Sequence, residues 1–140
     1  MLSVHERRVL GVQYLLAEGQ WHTPQPLPAG IRPQSLGRCF ANAARLARQR
    51  RGLRYCEGYA TVGLGTGTLF ATPHGWCIDE RERVVDPTWC EANGSPGLAY
   101  LGIVITLDEW LDAKRRRERS ALWDYRNRFP LVRERQGATR

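Results

Sequence analysis

The first thing this 140-residue chain lacks is a long apolar run. Nothing in it approaches the about 20 apolar residues that a membrane-crossing helix needs, and the opening Met1-Leu2-Ser3-Val4-His5-Glu6 has no apolar signal core. The expectation is a cytoplasmic protein with no membrane partner and with reduced thiols. Lysine is nearly absent, one residue against 20 arginines, a bias that reads as GC-rich coding rather than a surface selected for arginine. Cysteine and histidine are sparse, four and three. They form no Cys-x-x-Cys or His-x-x-x-His pair, so zinc has little support and no metal or cofactor is expected. Cys56, Cys77 and Cys90 therefore read as small core residues. His5 and His22 read as surface or ordinary packing positions. No internal repeat is present, and the length suits one domain over residues 1–140.

What is present divides into clear segments. Ser3 and Glu6 form a capping box ahead of Val9, Leu10, Val12, Tyr14, Leu15 and Leu16, which predicts a helix over about residues 4–18. Trp21 to Pro33 carries Pro24, Pro26, Pro28 and Pro33 and reads as a surface loop. Leu98 to Thr106 is an apolar strand without alternation, expected at the centre of a sheet. Thr106 and Glu109 make a second capping box, opening a helix through Trp110, Leu111 and Ala113 into an arginine-rich run.

Three residues between these segments suit nucleophilic catalysis. Cys39 lies after the break at Gly37 and directly before the helix-forming run Ala41 to Arg48. That places its thiol in the first turn of a helix, where unpaired N–H groups and the macrodipole favour an anion. Thr68 to Ile78 reads as a strand carrying His74 and interrupted by Pro73 and Gly75, and Arg83 to Asp86 as the next strand after the turn Asp79-Glu80-Arg81-Glu82. A hairpin centred on Glu80 would set His74 directly opposite Asp86 on one face. Asp86 would then fix the imidazole, and His74 would serve Cys39.

The residues around this set resemble the transglutaminase-like cysteine enzymes, a branch of the papain-like superfamily. Cys39 with Phe40 and Ala43 is similar to the cysteine helix of that family. Gly52-Leu53-Arg54 and Glu57-Gly58-Tyr59 resemble its arginine and Gly-Tyr strand, His74-Gly75-Trp76 its His-Ala-Trp, and Val85-Asp86-Pro87-Thr88-Trp89 its Asp-Pro-Thr. Two positions depart from the pattern: Gly75 replaces an alanine, and Cys56 a valine. The resemblance spans Arg38 to Trp89. It implies an α+β fold with a papain-like core, the cysteine helix packed on an antiparallel sheet and helices at both chain ends. It also implies Cys39, His74 and Asp86 as catalytic residues and the Cys39 N–H as oxyanion donor, with the Gln34 amide as a second. Trp76 and Trp89 are expected on the far side of the hairpin, or lining the substrate cleft if exposed. Thr61 to Phe70, with Gly63, Gly65 and Gly67, is expected to form a flap.

Charge is uneven along the chain. Residues 1–112 hold 11 basic and 11 acidic side chains, and residues 113–140 hold 10 and 3, so the net +7 belongs to the tail. Lys114-Arg115-Arg116-Arg117 and Arg119, interleaved later with Trp123, Tyr125 and Phe129, have the composition of a nucleic-acid surface. A solvated helix face is the favoured reading. The expected activity is hydrolysis of an amide bond in a peptide or protein substrate through a thioester. Transglutaminase-type acyl transfer or deamidation is the alternative, and a non-catalytic module using the basic tail is the alternative of another class.

Overall fold

The computed structural model describes residues 4–63 and 67–138. The Ser3–Glu6 capping box, the His5 side chain and Gly65 lie outside this description. Helix α1 (Val4–Glu18) leads into strand β1 (Gln20–His22), and after the proline-rich loop come α2 (Cys39–Gln49), β2 (Arg54–Gly63), β3 (Leu69–Ile78) and the two-residue β4 (Val84–Val85). Strand β5 (Gly97–Val104), α3 (Leu107–Arg115) and α4 (Pro130–Ala138) follow. The fold is mixed α+β, with four α-helices among the described residues and one antiparallel sheet in the order β1-β5-β2-β3-β4. No helix among the described residues is long and apolar enough to cross a membrane.

Local chemistry accounts for most of the boundaries. At the start of α3, the Thr106 hydroxyl accepts from the Glu109 N–H at 3.2 Å and the Glu109 carboxylate accepts from the Thr106 N–H at 2.9 Å, the reciprocal cap that the sequence predicts. The helix then stops at Arg115 rather than continuing through the arginine run. Strand β1 takes in Trp21 and His22, which pair with Leu101 and Tyr100, so the loop begins two residues later than expected, at the first prolines. Strand β5 pairs with β1 on one side and β2 on the other, while β2 holds the middle of the sheet. Pro73 and Gly75 do not interrupt β3, which pairs with β2 from Leu69 to Ile78. The expected flap contracts accordingly, because Thr61, Val62 and Gly63 pair with Ala71, Phe70 and Leu69 as ordinary hairpin rungs.

The sheet curls until its edges meet. Thr23, just past β1, bridges to Arg83, just before β4, and the Val84 N–H donates to the Thr23 carbonyl at 2.8 Å. Two cores result. Cys56, Ala60, Trp76, Ile78, Val84 and Tyr100 fill the concave side. On the convex side Tyr55, Cys77, Val85, Ile103 and Ile105 meet Tyr14, Leu15, Ala43, Ala44, Leu46, Trp110 and Phe129 from the helices. Gly102 makes room on the concave side, since a β-carbon there would sit 2.4 Å from the Trp76 ring.

Candidate active site

Helix α2 starts on Cys39 itself, after Gly37 turns the chain with φ of 82°. The first helical bond is Asn42 N–H to the Arg38 carbonyl at 2.8 Å, so the N–H groups of Cys39, Phe40 and Ala41 precede the intrahelical ladder. The thiol is half-buried. Asn42, one turn in, is buried and donates through its amide to the Ser35 carbonyl and to the Thr88 hydroxyl, both at 2.9 Å. The first ties the cysteine helix to the segment before it and the second to the loop that follows Asp86.

His74 is brought to Cys39 by a close seat between helix and strand. A β-carbon on Gly75 would lie 2.8 Å from the Phe40 ring and 3.0 Å from its Cα, so the glycine that departs from the resembled pattern is what lets α2 approach β3. Cys39 and His74, the neighbours of that contact, lie near enough for the thiol to act on the His74 pKa. The His74 Nε2 is 2.8 Å from Asp86 Oδ2, which leaves Nδ1 for the thiol. Burial alone would lower the His74 pKa, but the hydrogen bonds to Asp86 and Cys39 outweigh it and hold the imidazole up to about 9. The ring carries its proton at neutral pH.

The route from His74 to Asp86 corrects the expected register. Cys77 pairs with Val85 and Ile78 with Val84, so the hairpin is centred on Arg81, not Glu80. Continuing that register sets Trp76 opposite Asp86 and makes His74 to Asp86 a diagonal contact. The shift of two residues keeps the faces, which is why the pair still meets. Asp86 is buried and accepts four bonds: His74 and the Tyr100 hydroxyl (2.7 Å) on Oδ2, and the Thr88 (2.9 Å) and Trp89 (3.0 Å) N–H groups on Oδ1. Burial, reinforced by the neighbouring Asp86, raises the Tyr100 pKa far above the usual phenol range, so it stays a donor.

The two tryptophans part company. Trp76 is fully buried, so it is not a cleft residue, and it lies on the same face as His74 because it is two positions further along the strand. Its indole N–H donates to His22 Nδ1 at 3.0 Å. His22 is thus a buried, neutral acceptor on β1, its pKa lowered by burial. Trp89 lies beyond β4, where strand alternation no longer applies, and it stacks on His74 with ring centres 3.7 Å apart and planes 16° from parallel. It also borders a cavity of about 550 Å³ with Pro24, Pro26, Leu27, Pro28 and Pro96.

Gln34 is anchored near the site by its backbone, N–H to Pro87 carbonyl at 2.7 Å and carbonyl from Asn93 Nδ2 at 2.7 Å. Its side-chain amide donates to the Arg32 carbonyl at 3.4 Å. Cys56, Cys77 and Cys90 are buried, and burial pushes the Cys77 thiol up to about 12 and that of Cys56 higher still. Cys39 is the exception in placement among the four.

Sequence reasoning missed Asn42, Tyr100 and Glu57. Glu57 is fully buried on the convex face, where its carboxylate accepts from the Tyr55 hydroxyl (2.6 Å), the Ser120 hydroxyl, and the N–H groups of Ala121 (2.9 Å) and Leu122 (2.8 Å). Burial raises its pKa against these bonds. The tail is therefore docked, and several of its cations face inward: Arg116 meets buried Asp124 at 2.7 Å, and Arg135 grips Glu109 through Nε and Nη2 at 2.8 and 2.7 Å. An acid inside an apparently ordinary strand was the one signal for Glu57. Comparison with known protein families, with curated proteins and with solved structures finds no match.

Proposed function

We propose that this protein is a cysteine-dependent amide hydrolase with a papain-like core, acting on a peptide or protein through a thioester. The observation that carries the reading is the buried 2.8 Å bond between His74 and Asp86, with Cys39, the one half-exposed cysteine of the four, acting on the same imidazole. The Cys39 thiolate bonds to the acyl carbon, and the carbonyl electron pair moves to oxygen, which the Cys39 N–H receives. Collapse of that adduct expels the amine, which takes the proton from His74. Water then gives a proton to the neutral His74 while its oxygen attacks the thioester, and loss of the thiolate returns the starting ion pair. Trp89 shields the His74–Asp86 bond from water on one side, keeping it strong. Hydrolysis is placed ahead of transfer because a half-exposed Cys39 leaves its thioester within reach of water. The binding-module reading has less support, since Arg115, Arg116, Arg126 and Arg135 pair with carboxylates of the chain itself.

Incubating a cell lysate with the wild type or with Cys39→Ala, then mapping new peptide termini by mass spectrometry, tests the proposal. New termini with the wild type alone are expected. The same termini with both proteins, or none with either, would contradict it.

A further inference from the structure

Beside the cysteine lies a small cavity of about 260 Å³, lined by Gly37, Arg38, Phe40, Ala41, Lys114 and Arg119. Three of the six are cations and none is an acid. Arg38 and Phe40 flank Cys39 in the chain, so the cavity lies within about one residue of the proposed nucleophile, although Cys39 itself does not line it. Lys114 comes from the end of α3 and Arg119 from the segment after it, two positions of the basic run. Their neighbours there are neutralised internally, Arg115 by Asp112 and Arg116 by Asp124. Arg38 and Arg119 are exposed and have no carboxylate partner among the described residues, and Lys114 rests over the Trp110 ring at 4.2 Å. Like charges gathered with no acid among the lining residues repel one another, and an arriving anion relieves that repulsion. Burial lowers the Lys114 pKa and Arg119 adds to the effect, while Glu57 and Glu118 oppose it.

We infer that Arg38, Lys114 and Arg119 form a subsite for a carboxylate carried by the substrate within about one residue of the acyl group that Cys39 attacks. This rests on the proposed cysteine chemistry, and it narrows the substrate class to peptides that are acidic next to the scissile bond. Peptide anions are carboxylates, and the cavity suits one such group rather than an extended polyanion. The basic run thereby acquires a role in substrate choice.

The test compares alkylation of Cys39 in the full-length protein by iodoacetate, which brings a carboxylate, and by iodoacetamide, which does not; in each the thiolate displaces iodide. At low salt the iodoacetate-to-iodoacetamide rate ratio should fall about threefold in Lys114→Gln and again in Arg119→Gln, the size expected of partly exposed charge pairs. Arg117→Gln, outside the cavity, should leave the ratio unchanged. N-acetylglutamic acid α-amide and N-acetylglutamine, as competing protectants, tell a side-chain carboxylate from a chain-terminal one. An unchanged ratio in both cavity variants, an equal fall in Arg117→Gln, or protection by neither compound would overturn the subsite while leaving the cysteine chemistry intact. Cys39 labelled no faster than Cys56, Cys77 and Cys90 would instead overturn the chemistry, and the subsite with it.

Discussion

Gly75 packs against Phe40 so tightly that a β-carbon added to it would sit 2.8 Å from the phenylalanine ring. That contact sets how near the start of α2 comes to β3, and with it whether thiol and imidazole meet. Gly75→Ala should cost about 1–3 kcal/mol in stability, the usual range for overpacking. Turnover should fall further than the folded fraction does. Thermal unfolding and kcat measured on the folded fraction separate the two effects.

The proton on His74 sets the alkaline limit. Because the group that gives up a proton to the leaving amine is held up to about 9, kcat/KM should decline as pH rises through that value. The same shift contributes stability. The folded state binds the proton more tightly than the unfolded chain does, so the contribution is complete below the ordinary value of 6.5 and disappears as pH rises through about 9. Melting temperatures of wild type and His74→Gln across that window should converge toward its alkaline end.

Asp86 accepts from His74 and Tyr100 on one oxygen and from two backbone N–H groups on the other. In Asp86→Asn one amide atom can still accept from Thr88 and Trp89, but a donor then faces His74 and Tyr100, which imposes the wrong tautomer on the ring. Turnover should drop by roughly 10²–10⁴-fold without vanishing. Tyr100→Phe removes a single donor and should cost only a few-fold, as should Gly97→Ala, whose β-carbon would fall on the Tyr100 hydroxyl. Steady-state kinetics on the three variants would show this order; equal losses in all of them would contradict it.

What the sequence discloses here follows from the range of the interactions concerned. Helix α1 falls on the expected residues 4–18, and the Thr106–Glu109 cap forms as expected, because capping and helical periodicity act within a few residues. His74 and Asp86 also meet, at 2.8 Å, though on a diagonal rather than directly opposite. The hairpin register was legible only in parity: Asp79 accepts the N–H groups of Arg81 and Arg83 and centres the turn on Arg81, a side-chain effect that strand alternation does not encode. The edge closure through Thr23 and Arg83, the bond from Asn42 to Thr88, and the capture of residues 120–122 by Glu57 join positions 46 to 65 apart, where local patterns say nothing. Helix α4 went unrecognised for a related reason, its apolar residues Leu131 and Val132 acquiring meaning only against the core that buries them.

Glu57 is expected to behave as a structural acid. Glu57→Gln replaces one accepting oxygen with a donor that faces hydroxyl and N–H groups, and each buried group left unsatisfied costs about 1–3 kcal/mol. Hydrogen exchange at Ala121, Leu122 and Trp123 should accelerate before the sheet opens. Unchanged protection there would show that the segment is held by its apolar contacts alone.

The central claim is that Cys39 is a nucleophile activated by His74, and the rate at which iodoacetamide alkylates each cysteine at neutral pH tests it most directly. Peptide mass mapping should find Cys39 modified far ahead of Cys56, Cys77 and Cys90, and His74→Ala should slow Cys39 by about tenfold or more. Cys39 reacting at the same rate with and without His74 would contradict the account.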